Sequence, residues 1–311
     1  MARKALLVGI NDYQSVNDLR GCLNDVTNMR DVLKSLLGFT NADISVLTDS
    51  RATKANIVSR LNWLVTGAQA GDYLVFQYSG HGSQIRDRDG DERLADGLDE
   101  LICPWDMDWN RGTYITDDDL NNIFRRLPAG VLLEVYLDSC HSGTGLRAVE
   151  LNRPADLGPE HPTLNRYLPP PVDLMCRFEG EDHDLSRKKL FRASVRASVH
   201  HILWAGCMDN QTSADAYIAG SYNGAFTYYF CKTMRETGNR LSRVRSSLRF
   251  NHYDQIPQLE TEATVRNTRA IDAVEAAPVR GDGHKPKPPA PAKKPTLPLK
   301  SNKPRSTTMV H

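Results

Sequence analysis

Short, nearly continuous apolar runs alternate with stretches of helical spacing, and this alternation restricts the fold more than any other feature. Residues 4–10 form the first run, as expected of a strand covered on both faces. Cys22, Val26, Met29, Leu33, Leu36 and Leu37 then recur at helical spacing, and Gly38 ends that helix. Residues 43–48 read as a second strand, and Thr53 as the cap of a helix with Ile57, Leu61 and Leu64 on its apolar face. Residues 72–78 and 131–138 read as the third and fourth strands. Between them, 117–127 reads as a short helix with acids in its first turn, where the helix dipole favours them. Strand character returns at 201–207, followed by helices around 225–235 and 241–250, and globular character fades near Ala270. The pattern predicts an α/β fold with a mostly parallel central sheet and helices on both faces.

Two segments depart from the alternation. Residues 147–196 are rich in Arg, Pro and acids and have no sustained periodicity, which marks a linker or a functional loop. Residues 276–311 read as a disordered, basic, proline-rich tail. From 278 onward eight Lys/Arg face one acid, so that segment carries +7 and the rest −6, although the whole chain sums to +1. The divisions expected are 1–146, a linker at 147–196, a second globular part at 197–275, and the tail. The tail's charge suits nucleic acid or an anionic surface, although a solvated tail is the simpler reading. Six cysteines lie far apart with no CxxC pair, which points to a reducing, cytoplasmic setting. No run of about 18 apolar residues exists, so no transmembrane helix is expected. Because a strand pattern starts at residue 4, no prodomain is expected ahead of the fold.

In a parallel α/β sheet, functional residues gather at the carboxyl ends of strands. YSGHG (78–82) follows the third strand and DSCHSG (138–143) the fourth. Cys140 stands among small residues, where a thiol can meet a substrate. An unperturbed thiol of pKa about 8.5 is little ionised at neutral pH, so a nucleophilic cysteine needs a base. His81, at the neighbouring strand end, can take the thiol proton and later protonate a leaving amine. The glycines beside it let a substrate backbone approach and free a backbone N–H for an oxyanion. His141 is a rival base, but an adjacent side chain points away from its neighbour more often than toward it.

These two motifs, with RGCLND (20–25) upstream and DNQTSADAY (209–217) and YNGAFTYYF (222–230) downstream, resemble the type I metacaspase and prokaryotic orthocaspase group of caspase-like cysteine peptidases. The likeness covers roughly residues 4–270. True caspases carry a QAC-type motif at the nucleophile, which is absent here. The resemblance implies a caspase–haemoglobinase fold and a His81–Cys140 dyad. It places the backbone N–H groups of Gly82 and Cys140 in the oxyanion hole, with hydrolysis through an acyl-enzyme. It also implies cleavage after Arg or Lys, with Cys22, Asp25, Ser79 and Asp138 lining the S1 pocket. On residue physics alone, Asp25 reads as a solvated first-turn helix acid and Asp138 as a turn residue.

Residues 86–119 hold twelve Asp/Glu against four Arg. The stretch from Asp87 to Asp91 has a calcium-loop look, but Glu92 stands where an EF-hand needs Gly. By resemblance, Asp99, Asp117 and Asp118 match calcium ligands, while Arg147 stands where the family places a further ligand. The linker offers nine cleavage candidates, Arg147, Arg153, Arg166, Arg177, Arg187, Lys188, Lys189, Arg192 and Arg196, so self-processing is expected at a bond the sequence does not single out. The resemblance implies a monomer acting on protein or peptide substrates. The competing reading is an inactive caspase-like scaffold working through its tail; the presence of both His81 and Cys140 argues against it.

Overall fold

The computed structural model describes residues 1–86, 98–140, 161–175, 200–207, 213–237 and 258–261. The chain divides into Met1–Ala276 and Ala277–His311. The second unit, with most of the proline-rich tail, and the helix expected at 241–250 lie outside the described residues.

The elements run β1 (Arg3–Gly9), α1 (Cys22–Leu36), β2 (Ile44–Thr48), α2 (Lys54–Val65) and β3 (Tyr73–Ser79). Next come β4 (Gly82–Arg86), β5 (Leu98–Ile102), β6 (Ile115–Thr116), α3 (Asp117–Phe124) and β7 (Leu132–Asp138). The remainder is β8 (Leu164–Asn165), β9 (His200–Ala205), β10 (Ala214–Ile218), β11 (Ser221–Gly224), α4 (Ala225–Thr237) and β12 (Gln258–Thr261). A six-stranded sheet in the order β12-β9-β7-β3-β1-β2 forms the centre. Every pairing in it is parallel except that of β12 with β9.

The apolar runs are explained by burial on both faces. In β1, Leu6 and Val8 join a cluster with Ile57, Leu61, Phe76 and Phe124. Their neighbours Ala5 and Leu7 join a second cluster with Val26, Met29, Phe226 and Phe230. Successive side chains of a strand point to opposite faces, so a sheet layered between helices needs an apolar residue at each position. Thus α2 and α3 cover one face, and α1 and α4 the other. Gly9 lets α1 sit against β1, because a Cβ there would stand 2.6 Å from the Cys22 carbonyl oxygen.

Helix starts follow the expected capping chemistry. The Thr53 hydroxyl accepts from the Asn56 N–H, and Thr116 with Asp119 forms a reciprocal capping box at α3. The expected helix at 117–127 ends at Phe124, ahead of Pro128. Two small sheets have no counterpart in the sequence reading: β4-β5-β6, and β11-β10-β8. Their strands are short and interrupted by polar residues, so they carry no unbroken apolar run. The largest departure concerns the stretch read as patternless: residues 161–175 are ordered, and β8 pairs with β10.

Phe76 is fully buried in the central strand, its ring centroid 6.1 Å from that of Phe124. Phe76→Ala should cost about 3–5 kcal/mol, read as a lower midpoint in urea unfolding with little change in slope.

Candidate active site

Strand register brings the two motifs together. β3 and β7 are adjacent and parallel, with Ser79 opposite Asp138. His81 and Cys140 each follow two residues later, just past the sheet edge where backbone groups are no longer committed to the ladder. His81 is held from three sides. Its N–H donates to the Tyr13 hydroxyl at 2.8 Å, and its carbonyl accepts from Tyr78 at 2.7 Å. Its Nε2 lies 2.7 Å from the Asn17 carbonyl. A carbonyl only accepts, so Nε2 carries the proton and Nδ1 keeps a lone pair. Nδ1 is buried without a hydrogen bond among the described residues. Burial lowers the His81 pKa, the Asn17 carbonyl opposes this, and the nearby Arg166 charge lowers it further. The imidazole is therefore kept neutral, with an unprotonated Nδ1.

The Cys140 thiol is fully buried. It accepts from the Ser213 N–H and lies 3.5 Å from the Ser213 carbonyl. Cys207, just past β9, hydrogen-bonds the same thiol, and this contact with burial pushes the Cys207 pKa well up.

What covers the thiol is the chain itself. Residues 164–168 run through the site as an extended strand, β8 pairing with β10 at Leu164 and Asn165. The Arg166 N–H donates to the Ser213 carbonyl at 3.3 Å. The Arg166 carbonyl accepts from two backbone donors, Gly82 N–H at 2.9 Å and Cys140 N–H at 3.4 Å. Beyond it, the Leu168 N–H donates to the Gly82 carbonyl at 2.9 Å, and the Ser83 hydroxyl donates to the Leu168 carbonyl at 2.5 Å. Backbone hydrogen bonds thus clamp this segment on both sides of the Arg166–Tyr167 peptide bond. A peptide carbonyl held by two N–H donors beside a thiol and a neutral imidazole is arranged for nucleophilic attack.

The Arg166 side chain enters a closed anionic socket and is itself 0% exposed. Its Nη2 lies 2.7 Å from Asp25 and 3.2 Å from Asp215, and its Nη1 lies 3.3 Å from the Asp138 carboxylate and 3.0 Å from the Asp138 carbonyl. Each carboxylate is anchored by its second oxygen. That of Asp25 accepts from Gly224 N–H at 2.9 Å, that of Asp138 from Thr227 N–H at 3.0 Å, and that of Asp215 from Arg20 N–H at 2.6 Å. Burial pushes Asp25 up to about 7, with the Arg166 charge pulling down and Asp138 adding to the rise. Gly224 forms the floor, where a Cβ would stand 2.3 Å from Asp138 and 2.6 Å from the Arg166 guanidinium.

Of the residues named for S1, Asp25 and Asp138 touch the guanidinium. The readings of Asp25 as a solvated helix acid and of Asp138 as a turn residue are corrected: both are buried, at 0% and 1% exposure. Cys22 and Ser79 are buried beside them; the Ser79 hydroxyl accepts from Gln77 at 2.6 Å, and the Arg166 charge lowers the Cys22 pKa against a larger rise from burial. Asp215, Ser213 and Asn17 were missed. The first two lie in DNQTSADAY, a quoted motif with no role assigned; Asn17 acts through its backbone carbonyl and leaves no side-chain signal. Asp99 lies on β5, and Asp117 and Asp118 open α3. Among the described residues no three His, Cys, Asp or Glu gather as a metal site, and no helix is long and apolar enough to cross a membrane.

Comparison with known proteins gives one answer. The family described as metacaspase, peptidase C14 domain matches residues 3–149. Metacaspase-1A of Neosartorya fischeri is 37% identical over 288 residues, which span 83% of this chain and 64% of that protein. Metacaspase-1 of Ajellomyces capsulatus is 36% identical over 287 residues, 83% of this chain and 79% of that protein. The crystal structure of a Geobacter sulfurreducens protein superimposes with a TM-score of 0.61 at 26% identity, covering 84% of this chain and 93% of that one. The sheet, its flanking helices and these relatives agree: the architecture is that of the caspase–haemoglobinase fold, and the chain belongs to the metacaspase family of cysteine peptidases.

Proposed function

We propose that the protein is a cysteine endopeptidase that cuts after Arg or Lys through the His81–Cys140 dyad, and that it cuts its own Arg166–Tyr167 bond. One observation carries this reading. Arg166 has its guanidinium among three carboxylates while its carbonyl receives hydrogen bonds from Gly82 and Cys140. A chain lying across the site in that pose has the form of a bound substrate.

In this mechanism the Cys140 sulfur attacks the Arg166 carbonyl carbon and His81 Nδ1 takes the thiol proton. The Gly82 and Cys140 N–H groups hold the oxyanion. Collapse breaks the C–N bond, and His81 gives the proton to the Tyr167 nitrogen. Water then hydrolyses the thioester, freeing the Arg166 carboxylate and restoring the thiol. The S1 pocket comprises Asp25 and Asp138, flanked by Cys22 and Ser79. Calcium stimulation through Asp99, Asp117 and Asp118 belongs to the same proposal. It is supported by their hard carboxylate oxygens and by the contact of α3 with β5; no step above passes through the ion.

Three outcomes are expected. Purified wild type should split on incubation, and sequencing of the smaller fragment should begin Tyr167-Leu168-Pro169; Cys140→Ala should stay whole, and equal fragmentation of both would sink the proposal. The KM of an Arg-containing peptide should fall as pH rises from about 6 to about 8, because the buried Asp25 must lose its proton to hold the guanidinium. Asp25→Asn should abolish that pH dependence and hold KM near the wild type's low-pH value at every pH. Peptide turnover should rise with added calcium and fall with EDTA, and the response should be blunted in Asp117→Asn/Asp118→Asn.

A further inference from the structure

We infer that the pocket selects Arg over Lys, and that Asp215 is the residue that makes it do so. The inference rests on the proposed cleavage after basic residues and narrows the substrate class.

The four acceptors in the socket are divided between the two ends of a guanidinium. Nη1 faces the Asp138 carbonyl at 3.0 Å and carboxylate at 3.3 Å, and Nη2 faces Asp25 at 2.7 Å and Asp215 at 3.2 Å. A lysine side chain ends one bond sooner. Its ammonium would stand near the position of the Arg166 Cζ, short of both Nη positions by about 1.3 Å, one C–N bond. A planar fork meets acceptors on two sides at once, and a compact ammonium at its centre reaches neither side well.

The acceptors are not free to close in on a shorter guest. Asp25, Asp138 and Asp215 are tied through their second oxygens to Gly224, Thr227 and Arg20. Behind Asp215 the backbone is already in contact, since a Cβ on Gly21 would lie 2.2 Å from Asp215 Oδ1 and 2.7 Å from the Asn223 Cα. One carboxylate neutralises one cation, so two already carry the site to a net negative charge. A third raises like-charge repulsion inside a buried site and is offset only by a guest with a further donor to give it. The second N–H of the arginine Nη2 is that donor, the first going to Asp25.

The test uses the full chain and two internally quenched peptides that differ only in Arg or Lys before the cut. In Asp215→Asn the Arg20 N–H holds the amide oxygen, so the amide NH2 faces Nη2, donor against donor. For the Arg peptide kcat/KM should fall about ten- to hundredfold, mainly through KM, and for the Lys peptide by no more than a few-fold. Equal losses on both peptides would overturn the role of Asp215. Independently of how that variant folds, Arg166→Lys in the otherwise native chain should slow cleavage at the 166–167 bond at least tenfold on a time-course gel. Cleavage as fast as wild type would overturn the selectivity. Absence of any cleavage by the wild type would instead overturn the endopeptidase reading, and this inference with it.

Discussion

A single buried cation among three buried carboxylates ties the catalytic end of the molecule together. Asp25 comes from α1, Asp138 from the end of β7, Asp215 from β10, and Arg166 from the segment after β8. Ions taken out of water are costly unless paired and hydrogen-bonded. Here the carboxylates are anchored by backbone N–H groups, Asp138 also accepts from the Ser213 and Thr227 hydroxyls, and all three face one guanidinium. The same contact that satisfies the charges also fixes the Arg166 carbonyl between Gly82 and Cys140. Electrostatics and catalytic geometry are therefore one constraint, and removing Arg166 would leave a socket suited only to another cation or to protons.

The sheet supplies the frame for that constraint. Because β3 and β7 lie side by side in register, residues at equal distances beyond their ends face each other across a gap with no ladder hydrogen bonds. His81 and Cys140 are such a pair. The glycines around them serve close approach: at Gly224 a Cβ would fill the socket. His81, held by Asn17 and made less basic by burial, stands past one strand end, and Cys140 past the next.

Much of this was legible in the chain. The five parallel strands declared themselves because a sheet covered on both faces requires unbroken apolar runs. The proposed dyad could be named because both motifs sit directly after such runs. The β4-β5-β6 and β11-β10-β8 sheets were not, since their strands are short and interrupted by polar residues, which leaves no apolar run. Segment 161–175 lies in the stretch read as a linker or functional loop, and its order leaves no trace in the pattern for a related reason. It is ordered by backbone hydrogen bonds to Ser213 and Gly82 and by one charged side chain, none of which produces periodicity.

The sequence by itself determined the layered α/β architecture and the family, and it offered His81 and Cys140 as the proposed dyad, because these depend on local pattern and on short motifs at strand ends. It also revealed an excess of acids in the globular part, but not which of them act together. Only the tertiary structure decided that Asp25, Asp138 and Asp215, from positions nearly two hundred residues apart, surround one guanidinium, and that this guanidinium belongs to Arg166. The physical reason is that the energy of a buried charge depends on what surrounds it in space, and neighbours in space are not neighbours along the chain.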